Sequence, residues 1–136
     1  MTNSVSLTDE DYTALADFRH ALRRFQAFSE ANATNVGLTP QQHQALLAIR
    51  AASPAEVTVG VIAERLILKP HSATGLVDRL EALELVTRHE ASVDRRRAIL
   101  RLTPKAETLL AALSATHCEE IRRLKPLLAD LLAKFG

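Results

Sequence analysis

At 136 residues the chain has the length of one domain, and a domain of that size takes about two thirds of its unfolded surface inside on folding, so neither a metal nor a disulfide is needed to hold it together. The composition, 47% hydrophobic and 24% charged, is that of a soluble globular protein, and a lone cysteine, Cys118, excludes an internal disulfide. No apolar run approaches the roughly 18 residues of a membrane span. Met1 to Leu7 is polar and uncharged, unlike a secretory signal. A cytoplasmic protein without membrane contact is expected. Net charge is +1, but its distribution is uneven: Arg65 to Lys105 holds nine Lys/Arg against five acids, a net +4, and the rest of the chain carries −3. Positive charge gathered in the middle suits a polyanion-binding face, or an ordinary solvated surface.

Thr8 and Asp11 read as a helix cap with an acidic third position, followed by Leu15, Phe18, Leu22 and Phe25 at helical spacing. An amphipathic helix is predicted over about Thr8 to Ala31, then a loop from Asn32 to Leu38. Thr39-Pro40-Gln41-Gln42 is a clear helix start: Thr39 caps, Pro40 suits the first helical position and Gln42 reaches back. This helix should bury Leu46 and Ile49 and stop at Ser53-Pro54. Val59, Ile62, Ala63 and Leu66 mark a short helix, and Pro70 opens another with the buried stripe Ala73, Leu76, Val77, Leu80 and Leu83. The period then changes to two. Ala98, Leu100 and Leu102 alternate with Arg97, Ile99 and Arg101, and Leu85 to His89 can pair with them as a hairpin whose tip spans about Glu90 to Arg95. Thr103-Pro104 starts a long helix carrying Leu109, Leu110, Leu113, Ile121 and Leu124. Pro126 either kinks it or opens a last short helix with Leu127, Leu128, Leu131, Leu132 and Phe135.

The predicted fold is mainly α with a small β-hairpin, in the order α-α-α-α-β-β-α-α. Two short helices joined by a tight turn and followed by a hairpin form a winged helix-turn-helix. A helix fits the major groove of DNA, where base edges are distinguishable, and a basic hairpin can follow phosphates or enter the minor groove. Pro70 to Leu83 is the natural recognition helix. Outward near its start lie Lys69, His71, Ser72, Thr74 and Gly75, with Arg79 one turn on. A solvated helix face would read the same way. The hairpin separates the two readings, because Arg95, Arg96 and Arg97 set three adjacent guanidiniums at a turn, where like charges call for an anionic partner.

These residues resemble the MarR (multiple antibiotic resistance regulator) family. The resemblance rests on Val77-Asp78-Arg79-Leu80-Glu81, then Leu85-Val86-x-Arg88, then Asp94-x-Arg96-x-x-x-Leu100-x-Leu102-Thr103, and on the Leu38-Thr39-Pro40 helix start. Glu84 and Ala106 depart from it, standing where the family often has glycine. The resemblance implies a single domain over 1–136, with about 8–35 and 104–136 as dimerisation helices and about 39–103 as the DNA-binding region. It implies a homodimer on near-palindromic double-stranded DNA, Arg96 as the wing-tip residue in the minor groove, and Asp94 bracing the wing through an arginine. It also implies a repressor answering to a small lipophilic effector held by the first, second and fifth helices. The apolar C-terminal segment argues separately for a partner surface, or for packing back on the first helix.

Other classes fit poorly. His20, His43, His71, His89 and His117 have no triad or metal spacing, and the four glycines make no phosphate loop. No catalytic residue, cofactor or metal is expected. His43, His117, Cys118 and Glu30 could converge on a metal, but neighbours on a helix, as His117 and Cys118 are, point about 100° apart. A winged helix that binds protein instead of DNA is the main alternative, and three adjacent arginines would serve it little.

Overall fold

The computed structural model describes residues 6–52, 55–90 and 98–135. The elements run α1 (Asp9–Asn35), α2 (Pro40–Ala52), α3 (Val59–Leu66), α4 (Pro70–Ala82), β1 (Val86–Glu90), β2 (Ala98–Leu102) and α5 (Pro104–Ala133). The starts follow local chemistry. Thr8 and Asp11 close a capping box, Thr8 N–H to Asp11 Oδ2 at 2.9 Å and Asp11 N–H to Thr8 Oγ1 at 3.2 Å. Thr39 and Gln42 do the same at 3.0 and 3.1 Å. Thr58 caps α3 and Thr103 caps α5.

Three helices end alike. Leu38 N–H bonds Ala33 O and Gly37 N–H bonds Thr34 O, the paired bonds of a Schellman end, with Gly37 at φ 81°. Leu68 to Ala63 and Ile67 to Glu64 repeat the pattern after α3, and Leu85 to Leu80 and Glu84 to Glu81 repeat it after α4. At these two ends the left-handed residues are Ile67 (φ 54°) and Glu84 (φ 60°). The turn into the wing therefore keeps the geometry a glycine would favour, without the glycine. Ala106, the second departure, is fully buried.

Two boundaries differ from the sequence expectation. α1 continues through Asn32 and Thr34, whose side chains bond back to Phe28 O (2.8 Å) and Glu30 O (2.9 Å), while Ala33 between them is buried. α5 runs through Pro126 as one helix, so the two C-terminal helices expected are a single element. A proline costs one backbone bond, and here it stands on an exposed part of a helix anchored on both sides by Leu113 and Leu131.

The core is built by α2, which contacts α1, α3, α4, α5 and β2. Leu46, Ile62, Leu80, Leu85, Val77 and Val86 are fully buried. The stripe expected on α4 is buried at Ala73, Leu76, Val77 and Leu80, and only Leu83, past the helix end, is exposed. β1 and β2 are antiparallel with Val86 opposite Leu102 and Glu90 opposite Ala98. Leu100 N–H also bonds Val57 O at 2.7 Å, tying the hairpin to the start of α3. Ile99, expected on the solvent side of the alternation, is buried as well. α1 and α5 pack together, and Ala14, Ala21 and Ala33 of α1 are buried. Tyr12, Leu15, Leu22, Ile121, Leu127, Leu132 and Phe135 remain exposed.

Candidate nucleic-acid interface

α3 and α4 pack as a helix-turn-helix, and burial of Ala73, Leu76, Val77 and Leu80 decides which side of α4 faces out. Lys69, His71, Ser72, Thr74 and Arg79 are all exposed and Gly75 is half-buried, so these six predicted residues share one accessible surface. α4 differs from its neighbours at its start. α1, α2, α3 and α5 are each capped by a threonine hydroxyl, whereas α4 begins at Lys69 with no side-chain cap. Its first-turn amides are left for an outside acceptor, and the partial positive charge of a helix start favours an anion there. Among the described residues, the side chains of Lys69 and Arg79 make no hydrogen bond or ion pair. Gly75 has nothing within 4 Å of where a Cβ would stand, so no contact inside the chain requires glycine there.

The hairpin is held against α4 by Arg88 on β1. Its guanidinium donates to Asp78 Oδ1 at 2.7 Å and to Glu81 Oε1 at 2.9 Å. The Asp78 hydrogen bond is the main cause that raises the Arg88 pKa above its ordinary value. The Val77-Asp78-Arg79-Leu80-Glu81 and Leu85-Val86-x-Arg88 stretches thus meet in space as a clamp between recognition helix and wing. At the wing's other end the Thr103 hydroxyl donates to Glu84 O (2.7 Å) and Lys105 Nζ to Leu83 O (3.1 Å). Asp94, Arg95, Arg96 and Arg97 lie outside the described residues.

A second feature lies where α1, α2 and α5 meet. A cavity of about 630 Å³ is walled by Leu22, Phe25, Leu47 and Ile121 and carries polar groups from Ser29, Glu30, His43, Ser114, His117 and Cys118. His43 is 4% exposed, and its Nδ1 is buried without a hydrogen-bond partner. Burial, and then the neighbouring His117, hold its pKa below the ordinary value. The two rings lie 4.9 Å apart, and Phe25 and Phe28 meet His117 edge-on at 5.9 and 5.7 Å. His117 Nδ1 lies 2.6 Å from Leu113 O, so it must carry the proton, and Nε2 lies 2.7 Å from Ser29 Oγ.

Along the sequence these histidines are scattered, without triad or metal spacing. The available signal was their phase: His117 continues the Leu110, Leu113 stripe and His43 lies one turn before Leu46, both on buried faces. The four metal-ligand candidates His43, His117, Cys118 and Glu30 do line one cavity, but among the described residues no group of three or more such side chains could hold an ion.

A sequence model of the MarR family matches residues 36–97, from just after α1 to just before β2. The uncharacterised helix-turn-helix transcriptional regulator YcgE of Bacillus subtilis is 32% identical over 100 residues, which are 74% of this chain and 64% of that protein. The chain belongs to the MarR family. Its fold is that of the family's regulators. The crystal structure of MepR, a transcription regulator from Staphylococcus aureus, superposes with a TM-score of 0.74 at 19% identity, over 96% of this chain and 100% of that one. A MepR variant bound to an oligodeoxyribonucleotide superposes at 0.71 with 21% identity, over 96% and 100%. Like those proteins this family member is mainly helical with a two-stranded wing. Among its described residues no helix is long and apolar enough to cross a membrane.

Proposed function

We propose that this MarR-family chain is a non-enzymatic, cytoplasmic transcriptional regulator that binds double-stranded DNA as a homodimer. One observation carries the reading: α4, unlike the other helices, starts without a side-chain cap and presents Lys69, His71, Ser72 and Thr74 exposed around that start. Lys69, His71, Ser72, Thr74, Gly75 and Arg79 would meet base edges and phosphates in the major groove. Arg95, Arg96 and Arg97 would follow the backbone or enter the minor groove, with Arg96 foremost and Asp94 bracing it. A MepR variant that shares the fold is bound to an oligodeoxyribonucleotide, which supports DNA as the partner.

The exposed apolar residues of α1 and α5 support the dimer. Tyr12, Leu15, Leu127, Leu132 and Phe135 stand exposed on or just after these two helices, which pack against each other. The segments 8–35 and 104–136 are then the dimerisation helices, and 39–103 the reading head. The cavity at the α1, α2 and α5 junction sits between these parts, and its apolar walls and unpartnered His43 Nδ1 suit a small lipophilic effector. Such a ligand would favour one spacing of the two heads over another and release a near-palindromic operator, which is repression by occupancy.

The test is duplex binding by fluorescence anisotropy with Arg96→Ala and Arg79→Ala variants. Affinity should fall strongly in each while the dimer persists. It should also fall with salt by about 0.9 log units per log unit of salt for each phosphate contact. Unchanged affinity in both variants with a flat salt response would favour the protein-binding winged helix instead.

A further inference from the structure

The recognition helix α4 ends beside the start of α5, and three successive carbonyls make the join. Leu83 O accepts from Lys105 Nζ at 3.1 Å, Glu84 O from the Thr103 hydroxyl at 2.7 Å, and Leu85 O from Thr103 N–H at 3.0 Å. Leu85 is held from both sides, because its own N–H donates to Leu80 O inside α4. Thr103 serves both helices. The hydroxyl that donates to Glu84 O also accepts from Ala106 N–H (3.2 Å) as the cap of α5. Lys105 stands in the first turn of α5, where the partial positive charge of a helix start disfavours a cation. Its ammonium reaches the end of α4, where the opposite partial charge favours one. The lysine therefore suits the join and not its own helix. Elsewhere α5 packs on α1, α2 and β2, and α4 on α2, α3 and β1.

We propose that Thr103 and Lys105 are positioning residues that fix the angle of the recognition helix to α5, and so set the half-site spacing that the dimer accepts. The proposal deepens the DNA-binding reading above and rests on it. With the dimer contact on α1 and α5, each α4 hangs from that contact through this join. One base pair added between half-sites moves them apart by about 3.4 Å and turns one about a tenth of a helical turn against the other. Heads on a stiff join cannot follow both changes, whereas heads on a softened join follow part of them. Neither side chain needs to touch DNA to have this effect.

The test uses a near-palindromic duplex enriched from a random pool by the full chain, and a copy with one base pair inserted at its centre. Fluorescence anisotropy gives both affinities, and the readout is their ratio. It is measured for the unmodified chain, Lys105→Met, Thr103→Val and Thr103→Ser. The unmodified chain should prefer the enriched duplex by about tenfold or more. Lys105→Met keeps the side-chain stem and should lower the ratio by about threefold. Thr103→Val should lower it further, and Thr103→Ser, which keeps the hydroxyl, should leave it unchanged. A merely structural role for Lys105 would weaken both duplexes equally. So would a phosphate contact, which would also take about one contact from the salt slope. An unchanged ratio in Lys105→Met overturns the proposal, as does an unmodified chain that binds both duplexes alike. In both cases the unmodified chain still binds duplex, and the DNA-binding reading stands. A chain that enriches no duplex removes both.

Discussion

Ile67 is 91% exposed, β-branched and left-handed. Such a residue costs about 1–2 kcal/mol relative to one in an ordinary region, and no burial offsets the cost here. Glu84 holds the same conformation at the turn into the wing. Ile67→Gly and Glu84→Gly should therefore each raise stability by about 1 kcal/mol, less the extra unfolded-state freedom of glycine. Thermal unfolding should show a rise of a few degrees. His43 sets a pH dependence. Its pKa is lowered on folding, so below the unfolded value of 6.5 the unfolded chain binds more protons, and stability falls as pH drops through that window. The slope should flatten in His43→Leu, measured by denaturant midpoints across pH. These residue-level features were only partly legible in the sequence. Capping boxes were readable because Thr39 and Gln42 stand three residues apart and need no tertiary information. The left-handed ends were not, because glycine, their usual marker, is missing at Ile67 and Glu84.

At the level of elements, the recognition helix and the wing behave as one unit through Arg88. Arg88→Met would free Asp78 and Glu81 and let the hairpin move on α4. Because the acids are largely exposed, the stability cost should be at most about 1 kcal/mol, while duplex affinity falls further than that loss accounts for. The complementary test is Gly75→Ala. A Cβ meets nothing inside the chain, so the helix should gain about 0.5–1 kcal/mol, yet duplex affinity should drop about tenfold if DNA backbone comes close to that position. A more stable protein that binds as before would remove Gly75 from the interface. Periodicity had already shown which face of α4 is buried. The Arg88 clamp was not readable as a contact, since its acids precede it by seven and ten residues on another element. Nor was the continuity of α1 and α5, where Asn32, Thr34 and Pro126 look like interruptions but burial of Ala33, Leu113 and Leu131 beside them holds the helices in place.

For the whole molecule, the apolar face on α1 and α5 and the basic surface on α4 belong to one account. A dimer sets two reading heads at a fixed distance, turning two weak contacts into one specific one. Light scattering should give twice the chain mass at micromolar concentration, and Leu15→Glu with Leu127→Glu should shift it toward monomer and weaken duplex binding together. The cavity was the feature least visible in the sequence, because its walls come from three helices far apart in the chain. The most direct test is selection of bound duplexes from a random DNA pool by the full chain. The account expects a near-palindromic site with half-sites about 10 base pairs apart. A pool that stays random after repeated selection would contradict it.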